Sequence, residues 1–328
     1  MSNIVTYSSA YTLVPTYECF NRCAYCNFRV DPGADSWLSL EEASNRLQAA
    51  GAIEALVLSG EVHPASDRRK KWIDHIYKLC KLSLDLGCLP HTNAGPLSWT
   101  EMEYLKQVNV SMGLMLEQLT PMFQQTVHRH APSKSPTLRL QQLEWAGQLQ
   151  IPFTTGLLLG LGETAVDWQE TLDAIASLHR QYGHIQEVIL QPHQPGQRQI
   201  LDRAACHDAL LLEAVSLAKA TLPEDIVIQI PPNLIRSPEM LAACVAAGAR
   251  DLGGIGPWDE VNPDYPHHRL HDLRQLLAAQ GYELELRLPV YPHHDRWLSA
   301  SLQAGVQAWR QRLSQRLPYQ EGQARSDL

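Results

Sequence analysis

Residues 138–182 read LRLQQLEWAGQLQIPFTTGLLLGLGETAVDWQETLDAIASLHRQY, and the prediction of the fold starts from this stretch. Residues 138–149 and 168–182 have the patterning of helices, and between them residues 153–159 form a short apolar run that is typical of a buried strand. A buried strand between two helices is characteristic of a parallel sheet, because crossover helices cover the outer face of such a sheet.

The same alternation continues over most of the chain and predicts the fold class. The other strands are expected at residues 12–15, 55–59, 89–93, 110–116, 185–191, 226–230 and 251–255. The other helices are expected at residues 40–50, 71–86, 204–222 and 238–247, with a further turn opened by Ser98 and Glu101. Eight strands separated by helices predict an α/β fold of the (β/α)8 TIM-barrel type, and a doubly wound open sheet is the alternative with the same alternation.

The domain organisation follows from where this alternation stops. The barrel is expected to occupy residues 8–281, and residues 282–328 are expected to form a short C-terminal extension with a strand, a Pro-rich turn and a helix rich in Arg and Gln. In barrels of this type the chemical groups gather at the C-terminal ends of the strands. Functional residues are therefore expected in the segments that follow the strands.

Composition and charge exclude several classes of function. With 45% hydrophobic and 19% charged residues, the 328-residue chain is an ordinary globular protein. Its formal charge of -8 argues against a nucleic-acid partner, and the basic run at residues 68–71 is expected to be a solvated surface. No apolar run reaches the ~18 residues of a membrane span and no targeting signal is recognised, so a cytoplasmic location without a membrane partner is expected.

Three of the seven cysteines stand within eight residues, after the first predicted strand. Cys19, Cys23 and Cys26 have the spacing C-x3-C-x2-C, while Cys206 and Cys244 are expected within helices. Most iron–sulfur clusters take four cysteine ligands, so three close cysteines without an evident fourth predict a 4Fe-4S cluster with one iron left open. A zinc site with three cysteines and a histidine, or thiols that only pack, are the alternatives.

The loop is similar to the cluster-binding signature of the radical S-adenosylmethionine superfamily, including the aromatic residue Tyr25 before the last cysteine. This resemblance implies that S-adenosylmethionine chelates the open iron through its amino and carboxylate groups. It also implies that an electron from the reduced cluster splits the sulfonium and leaves a 5'-deoxyadenosyl radical, which removes a hydrogen from the substrate.

The resemblance extends to residues that would contact S-adenosylmethionine. Ser59, Gly60 and Glu61 follow the second strand and resemble the G-G-E motif of the family, with serine in place of the first glycine. The Glu61 carboxylate would accept hydrogen bonds from the ammonium group of the cofactor, and glycine allows close approach of the backbone. Glu117, at the end of the fourth strand, is expected to bind the ribose hydroxyls, as a carboxylate does in related enzymes.

Two further contacts with the cofactor are expected around the fifth strand. Gly160 and Leu161 belong to a segment, residues 156–163, that is similar to the G-x-I-x-G-x-x-E pattern of the family and would bring backbone against adenine. Arg139, on the preceding helix, is expected to pair with the cofactor carboxylate, and a surface salt bridge is the alternative role.

Longer segments are similar to one branch of the superfamily, the CofG subunits of FO synthase in their cyanobacterial form. They lie at residues 12–18, 90–95, 111–117, 130–134, 153–156, 230–233, 253–257 and 259–263. The resemblance implies synthesis of 7,8-didemethyl-8-hydroxy-5-deazariboflavin from an adduct of a tyrosine-derived hydroxybenzyl group and a ribitylated diaminouracil. It implies a partner enzyme, CofH, that supplies the adduct, and an electron donor such as ferredoxin or flavodoxin.

Polar residues near the strand ends are candidates for contacts to the pyrimidine or the ribityl chain of this substrate. These are Asn93, Gln191, Asn233, Asp259 and Asn262. The histidine pairs His128 and His130, and His293 and His294, are expected to be solvated, and no general base is assigned.

Three alternatives to this function remain at the level of sequence. The chain could be the CofH-like partner, or a relative of biotin synthase that sacrifices a second cluster, although the scattered cysteines give the latter no support. From another class, it could be a non-catalytic iron–sulfur or zinc module. Such a module would not need carboxylates and a glycine-rich strand end at barrel positions.

Overall fold

The computed structural model describes residues 3–315 and contains a closed barrel of eight parallel strands. The strands are β1 (Ile4–Leu13), β2 (Glu54–Leu58), β3 (Leu89–Asn93), β4 (Ser111–Gly113), β5 (Phe153–Leu159), β6 (Ile185–Pro192), β7 (Val227–Gln229) and β8 (Asp251–Ile255). Each strand pairs with the next in sequence, and β1 pairs with both β2 and β8, which closes the ring. The predicted TIM-type barrel is confirmed, and the open doubly wound sheet is wrong.

Helices on the outside of the barrel connect successive strands. They are α1 (Leu40–Ala50), α2 (Arg69–Asp85), α3 (Trp99–Lys106), α4 (Pro121–Gln125), α5 (Pro136–Gln148), α6 (Ala165–Tyr182), α7 (Asp208–Thr221), α8 (Pro238–Ala247) and α9 (Leu270–Ala278). Trp72 of α2 and Trp168 of α6 are fully buried against the sheet, and they are the largest side chains of this layer. Between residues 3 and 315, no helix is long and apolar enough to cross a membrane.

The first strand differs most from its prediction, since it begins at Ile4 and not at residue 12. The residues Ile4–Leu13 mix polar and apolar side chains without forming a continuous apolar run, so only their end was predicted as a strand. The extra length has a structural role. The second half of β1 pairs with β2, whereas the first half pairs on the same edge with a ninth strand from the C-terminal region.

The C-terminal region closes the end of the barrel at which the strands begin, which is called its lower end below. Strand β9 (Glu283–Arg287), a 3-10 turn (Pro292–Trp297) and helix α10 (Ala300–Ser314) follow α9. Leu302 of α10 packs with residues just before and at the start of the barrel strands in a separate apolar cluster, whose buried members are Ile53, Leu89, Val110, Leu288, Val290, Leu298, Leu302 and Val306. Of the predicted extension, residues 316–328 lie outside the described residues, and the division at residue 281 stays a prediction.

We expect this lower closure to stabilise the whole barrel. Leu302→Ala should lower the free energy of unfolding by about 2–5 kcal/mol, because it removes a buried side chain and leaves a cavity under the strands. Denaturant unfolding measures the change. Leu138→Ala on α5, where the side chain is 45% exposed, is the matched control and should change stability by less than about 0.5 kcal/mol. Equal effects of the two substitutions would contradict a stabilising role of α10.

The basic run at residues 68–71 is not wholly a solvated surface, which corrects the prediction from its charge. The guanidinium of Arg69 is buried and donates two hydrogen bonds of 2.8 Å to the carboxylate of Glu101, so that it joins α2 to α3. Arg68 forms an ion pair of 2.6 Å with the buried carboxylate of Glu18, which precedes the first cysteine. Both arginines therefore hold segments of the structure in place.

Candidate active site

The cysteine loop lies at the C-terminal ends of the strands, over a cavity of about 360 Å³ inside the barrel. Cys19, Cys23 and Cys26 are free thiols that are partly exposed, and all three line this cavity. The loop is tied to neighbouring segments by backbone hydrogen bonds, of which Phe20 N–H to the carbonyl of Glu61 (3.1 Å) is one. Three thiols are thus held on one short loop, and all of them border the cavity.

The donor set fits an iron–sulfur cluster. Burial raises the pKa of Cys19 to about 11 and that of Cys23 to about 12, because removal from water disfavours the charged thiolate. Within residues 3–315, no three His, Cys, Asp or Glu side chains converge on a point that could hold a single metal ion. A cuboidal cluster binds each cysteine through a different iron, so its ligands stand apart, and this spacing does not count against it.

Glu61 lies at the end of β2 and faces the same cavity. Its carboxylate accepts a hydrogen bond of 2.5 Å from the hydroxyl of Ser133, and it stands 3.7 Å from the guanidinium of Arg139. Ser133 in turn accepts a hydrogen bond of 2.7 Å from the side chain of Asn21, inside the cysteine loop. Asn21 and Ser133 therefore connect the cysteine loop directly to the carboxylate that was predicted to bind the cofactor.

Gly60 shows why this position requires glycine. A methyl group here would overlap the carbonyl group of Glu18, immediately before the first cysteine. Gly60 N–H also donates a hydrogen bond of 2.8 Å to the carbonyl of Thr16. The close approach of backbone predicted for this residue thus involves the chain that enters the cysteine loop, and its contact with the cofactor stays a prediction.

We expect Gly60→Ala to displace the cysteine loop and to destabilise the protein by about 1–3 kcal/mol, because the backbone of Glu18 must move to admit the methyl group. Thermal unfolding of the variant measures the effect. Gly305→Ala in α10 is the matched control, since the nearest atom to its added methyl lies at 3.7 Å. Alanine there should stabilise the helix by about 0.5–1 kcal/mol. If both variants are stabilised, Gly60 is not sterically required.

Glu117 belongs to a buried cluster of charges beside the cavity. It has a φ of 67°, a strained value for a residue other than glycine. Its carboxylate forms a short ion pair with the ammonium of Lys134 and stands 3.8 Å from the guanidinium of Arg139. Burial opposes ionisation of Glu117, but Lys134 and Arg139 outweigh it and lower its pKa. The carboxylate is therefore kept ionised and can accept hydrogen bonds from hydroxyl groups.

Arg139 is 2% exposed, so the alternative of a surface salt bridge is wrong. Its guanidinium donates hydrogen bonds to the backbone carbonyls of Ser133 (3.1 Å) and Met115, between the two carboxylates of Glu61 and Glu117. It lines the cavity. Arg139 thus joins the segment after β2, the end of β4 and the segment before α5, and it supplies positive charge beside the cysteine loop.

Tyr25 and His128 form a buried pair next to the cysteines, which corrects the expectation that His128 is solvated. The Tyr25 hydroxyl and His128 Nε2 are 2.9 Å apart, and the imidazole packs edge-on against Phe123. Burial and the charge of Lys134 lower the pKa of His128 to about 3, so the ring is neutral. His294 is likewise buried, with its pKa lowered to about 3 by burial and neighbouring histidines.

The glycine-rich turn after β5 lies beside the cavity without lining it. Gly160 N–H and Leu161 N–H donate hydrogen bonds of 2.6 and 2.8 Å to the carboxylate of Glu163. These two donors are therefore already used within the turn. Leu161 is buried in an apolar cluster that also contacts Tyr25, so the turn packs against the cysteine loop. The expected contact with adenine stays a prediction. Cys206 packs against Gly160 in the segment before α7, not within a helix as predicted.

The five candidates for substrate contacts all line the cavity, but they differ in whether their side chains are already hydrogen-bonded. Among the described residues, the side-chain amides of Asn93 and Gln191 form no hydrogen bond. Asp259 instead accepts hydrogen bonds from the side chains of Asn233 (2.9 Å) and Asn262 (3.0 Å), and so organises the loop after β8. Asn93 and Gln191 are free to bind a ligand directly, whereas the other three are partly committed to each other.

Several residues of the site were missed at the level of sequence. Lys134 and Ser133 lie in a segment that was recognised only as a whole, and no pattern indicated that both would contact carboxylates after β2 and β4. The polar residues deep in the cavity were also missed. They are Glu54, His91, Glu187 and Arg287. The signal that could have found them is a polar side chain at an inward position of an otherwise apolar strand.

Comparison with known proteins defines the class. A family model described as the radical SAM superfamily matches residues 13–175, which include the cysteine loop and the strands β2 to β5. With the TIM-type barrel, this match makes the protein a radical S-adenosylmethionine enzyme, a class that uses a 4Fe-4S cluster and S-adenosylmethionine.

Sequence relatives define the particular family. The chain is 64% identical over 311 residues to the 7,8-didemethyl-8-hydroxy-5-deazariboflavin synthase of Trichormus variabilis, covering 94% of this chain and 92% of the relative. It is 60% identical over 306 residues to the synthase of Thermosynechococcus vestitus, covering 92% and 97%, and 56% identical over 314 residues to that of Gloeobacter violaceus, covering 95% and 97%. The chain belongs to the family of 7,8-didemethyl-8-hydroxy-5-deazariboflavin synthases.

Solved structures of low sequence identity share the fold of this chain. The FeFe-hydrogenase maturase HydG from Carboxydothermus hydrogenoformans superposes with a TM-score of 0.72 at 18% identity, covering 96% of this chain and 79% of that protein. Methylornithine synthase (PylB) gives a TM-score of 0.66 at 13% identity, covering 86% and 84%. At these identities the likeness concerns the fold alone.

Proposed function

We propose that the protein converts 5-amino-5-(4-hydroxybenzyl)-6-(D-ribitylimino)-5,6-dihydrouracil to 7,8-didemethyl-8-hydroxy-5-deazariboflavin, with ring closure and release of ammonia. The observation that carries the proposal is the arrangement of three free thiols, Glu61 and Glu117 around one cavity at the mouth of the barrel. The name shared by relatives of 56–64% identity supplies the product. The CofH-type enzyme is proposed as the source of the adduct, a ferredoxin or flavodoxin as reductant, and the cytoplasm as location.

The chain's own residues would have distinct roles in this reaction. When bound, the cluster and S-adenosylmethionine supply the electron transfer and the 5'-deoxyadenosyl radical that removes hydrogen from the substrate. Cys19, Cys23 and Cys26 would hold three irons of the cluster, and Glu61 would accept hydrogen bonds from the cofactor's ammonium group. Glu117, kept ionised by Lys134 and Arg139, would accept hydrogen bonds from ribose hydroxyls.

The shape of the site supports radical chemistry. The cavity is bounded by the barrel wall, and an apolar cluster of the C-terminal region packs beneath the strands on the side away from the cysteine loop. Such an enclosure keeps a reactive intermediate away from water and from competing hydrogen donors. Asn93 and Gln191 are proposed to orient the substrate through their unpaired amides.

The experiment is product analysis with anaerobically reconstituted, reduced protein. With S-adenosylmethionine and the adduct, we expect the fluorescent deazaflavin, 5'-deoxyadenosine, methionine and ammonia. Tyrosine with the diaminouracil, supplied in place of the adduct, should give no deazaflavin. If this second mixture instead yields the adduct, the protein is the CofH-type enzyme. If S-adenosylmethionine remains intact in both mixtures, the protein is a non-catalytic metal module.

A further inference from the structure

The cavity continues below the cysteine loop to a polar floor deep inside the barrel. The floor is lined by Glu54 of β2, His91 of β3, Glu187 of β6 and Arg287 of β9. Barrel interiors at this depth are usually filled by branched apolar side chains. Burial of charged and polar groups there costs free energy unless they bind a ligand or pair with one another, so the partners of these four side chains indicate their role.

Glu54 is the least satisfied group of the floor. It is 6% exposed, and the hydroxyl of Ser8 on β1, which lies beside it, makes no hydrogen bond within the described residues. Burial raises its pKa, because the positive charge of Arg287 does not offset the loss of hydration of the carboxylate. The carboxyl group reaches the cavity surface, where it can accept or share a hydrogen bond with a bound molecule.

His91 presents a second acceptor, and the hydrogen bonds around it determine which nitrogen is protonated. Ser111 donates its hydroxyl proton to the carbonyl of Pro289 (2.6 Å), so its oxygen must accept the bond of 2.7 Å from His91 Nδ1–H. Burial lowers the pKa of His91 to about 3, and the ring is neutral. Its Nε2 therefore carries a lone pair, and it lies on the side of the ring that faces Gly113 and the cavity.

Arg287 is directed towards other acceptors. Its guanidinium donates hydrogen bonds of 2.6 and 2.8 Å to the carboxylate of Asp251 and one of 3.2 Å to the carbonyl of Leu288, and it stands 2.6 Å from the carboxylate of Glu187. Glu187 also accepts a hydrogen bond of 2.9 Å from the hydroxyl of Thr154. The floor therefore has a surplus of acceptors, at Glu54 and His91 Nε2, on two adjacent strands.

We propose that this floor is the subsite for the polyhydroxylated chain of the substrate, with Glu54 and His91 accepting hydrogen bonds from its hydroxyl groups. The inference rests on the proposed function, which supplies a substrate with a ribityl chain. An eight-stranded barrel is only wide enough inside for side chains or one slender ligand, so a linear polyol fits the floor better than a fused ring system does. The flat rings then remain near the cysteine loop, where the chemistry takes place.

The test is a binding cycle that needs no turnover. The affinities of 7,8-didemethyl-8-hydroxy-5-deazariboflavin and of an analogue with methyl in place of the ribityl chain are measured by fluorescence with wild-type protein and with Glu54→Gln. Glutamine keeps the size and polarity of the side chain, so the variant should fold, and it replaces one carboxyl oxygen by an amide NH2 group, which cannot accept a hydrogen bond. Glu285→Gln, on the exposed face of β9, is the matched control.

We expect removal of the ribityl chain to weaken binding to wild-type protein by about 100-fold and to Glu54→Gln by only about 10-fold, the ratio that one hydrogen bond to a carboxyl group typically contributes. The control should behave like wild type. His91→Gln provides a second, independent arm and should show the same reduced dependence on the chain.

Equal losses in wild type and both variants would overturn the inference. So would a failure of the intact deazaflavin to bind wild-type protein. In either case the turnover assay with the adduct decides separately whether the proposed function holds, because product formation does not depend on where the ribityl chain lies. Binding that depends on the chain, combined with an absence of turnover, would instead retain the subsite and reject the proposed reaction.

Discussion

Replacement of Cys23 by serine is expected to abolish iron–sulfur loading and, with it, cleavage of S-adenosylmethionine. Cys23 is one of only three thiols on the loop, and a cluster held by two cysteines has a second iron without a protein ligand. The rate of 5'-deoxyadenosine formation should fall by more than about 100-fold, since even indirect partners of metal ligands are typically worth about 10- to 100-fold. Iron and sulfide content after anaerobic reconstitution measures the loading.

The matched control for this prediction is Cys88→Ala. Cys88 is a free, buried thiol directly before β3, at the opposite end of the barrel from the cysteine loop. The variant should retain iron, sulfide and activity. Loading of Cys23→Ser to the same iron and sulfide content as wild type would reject the loop as the site of the cluster, whatever the activity of the variant.

Replacement of Arg139 by methionine is expected to have the largest effect on stability. Its guanidinium is 2% exposed and lies between Glu61 and Glu117, so methionine leaves these carboxylates with less positive charge nearby. Removing one partner of a buried ion pair typically costs about 3–5 kcal/mol. It also leaves the carbonyl groups of Ser133 and Met115 without their donor. Denaturant unfolding at neutral pH measures the loss.

Arg46→Met provides the comparison, because Arg46 forms an exposed pair with Glu42 one turn away on α1. Such a pair contributes about 0.3–0.5 kcal/mol. A loss of less than about 1 kcal/mol for Arg139→Met would mean that water or a shift of Lys134 replaces the guanidinium, and the charge cluster would then not depend on Arg139. The loss should also shrink at low pH, where Glu117 becomes protonated and no longer needs a cation, since its pKa is lowered in the folded state.

Three strands were predicted with their exact bounds, whereas two others differ clearly from their predictions. Residues 89–93, 153–159 and 251–255 match β3, β5 and β8 at both ends, and each of these runs is short and follows a segment with helical patterning. β1 was shortened in the prediction since polar side chains interrupt its apolar ones, and β4 is only three residues long where seven were expected. Pairing partners, which are distant in sequence, determine the ends of these two strands.

The role of a charged side chain was harder to predict than its presence. Arg139, Arg69 and His128 could all have been surface residues, and the structure buries each of them. Lys134 contacts Glu117, 17 residues earlier, and Asn21 contacts Ser133, 112 residues later. No local pattern encodes such contacts, because they depend on which strand ends become neighbours when the barrel closes.

The amino-acid sequence by itself determined the alternation of strands and helices, the three thiols on one loop and the resemblance to a family. These are local properties, since periodicity, spacing and motifs need only neighbouring residues. Only the tertiary structure decided that Glu61, Glu117, Lys134 and Arg139 surround one cavity and that Arg287 enters the floor from the C-terminal region. The reason is physical: burial and pairing of charge arise from contacts between distant segments, and these contacts exist only once the ring of strands is closed.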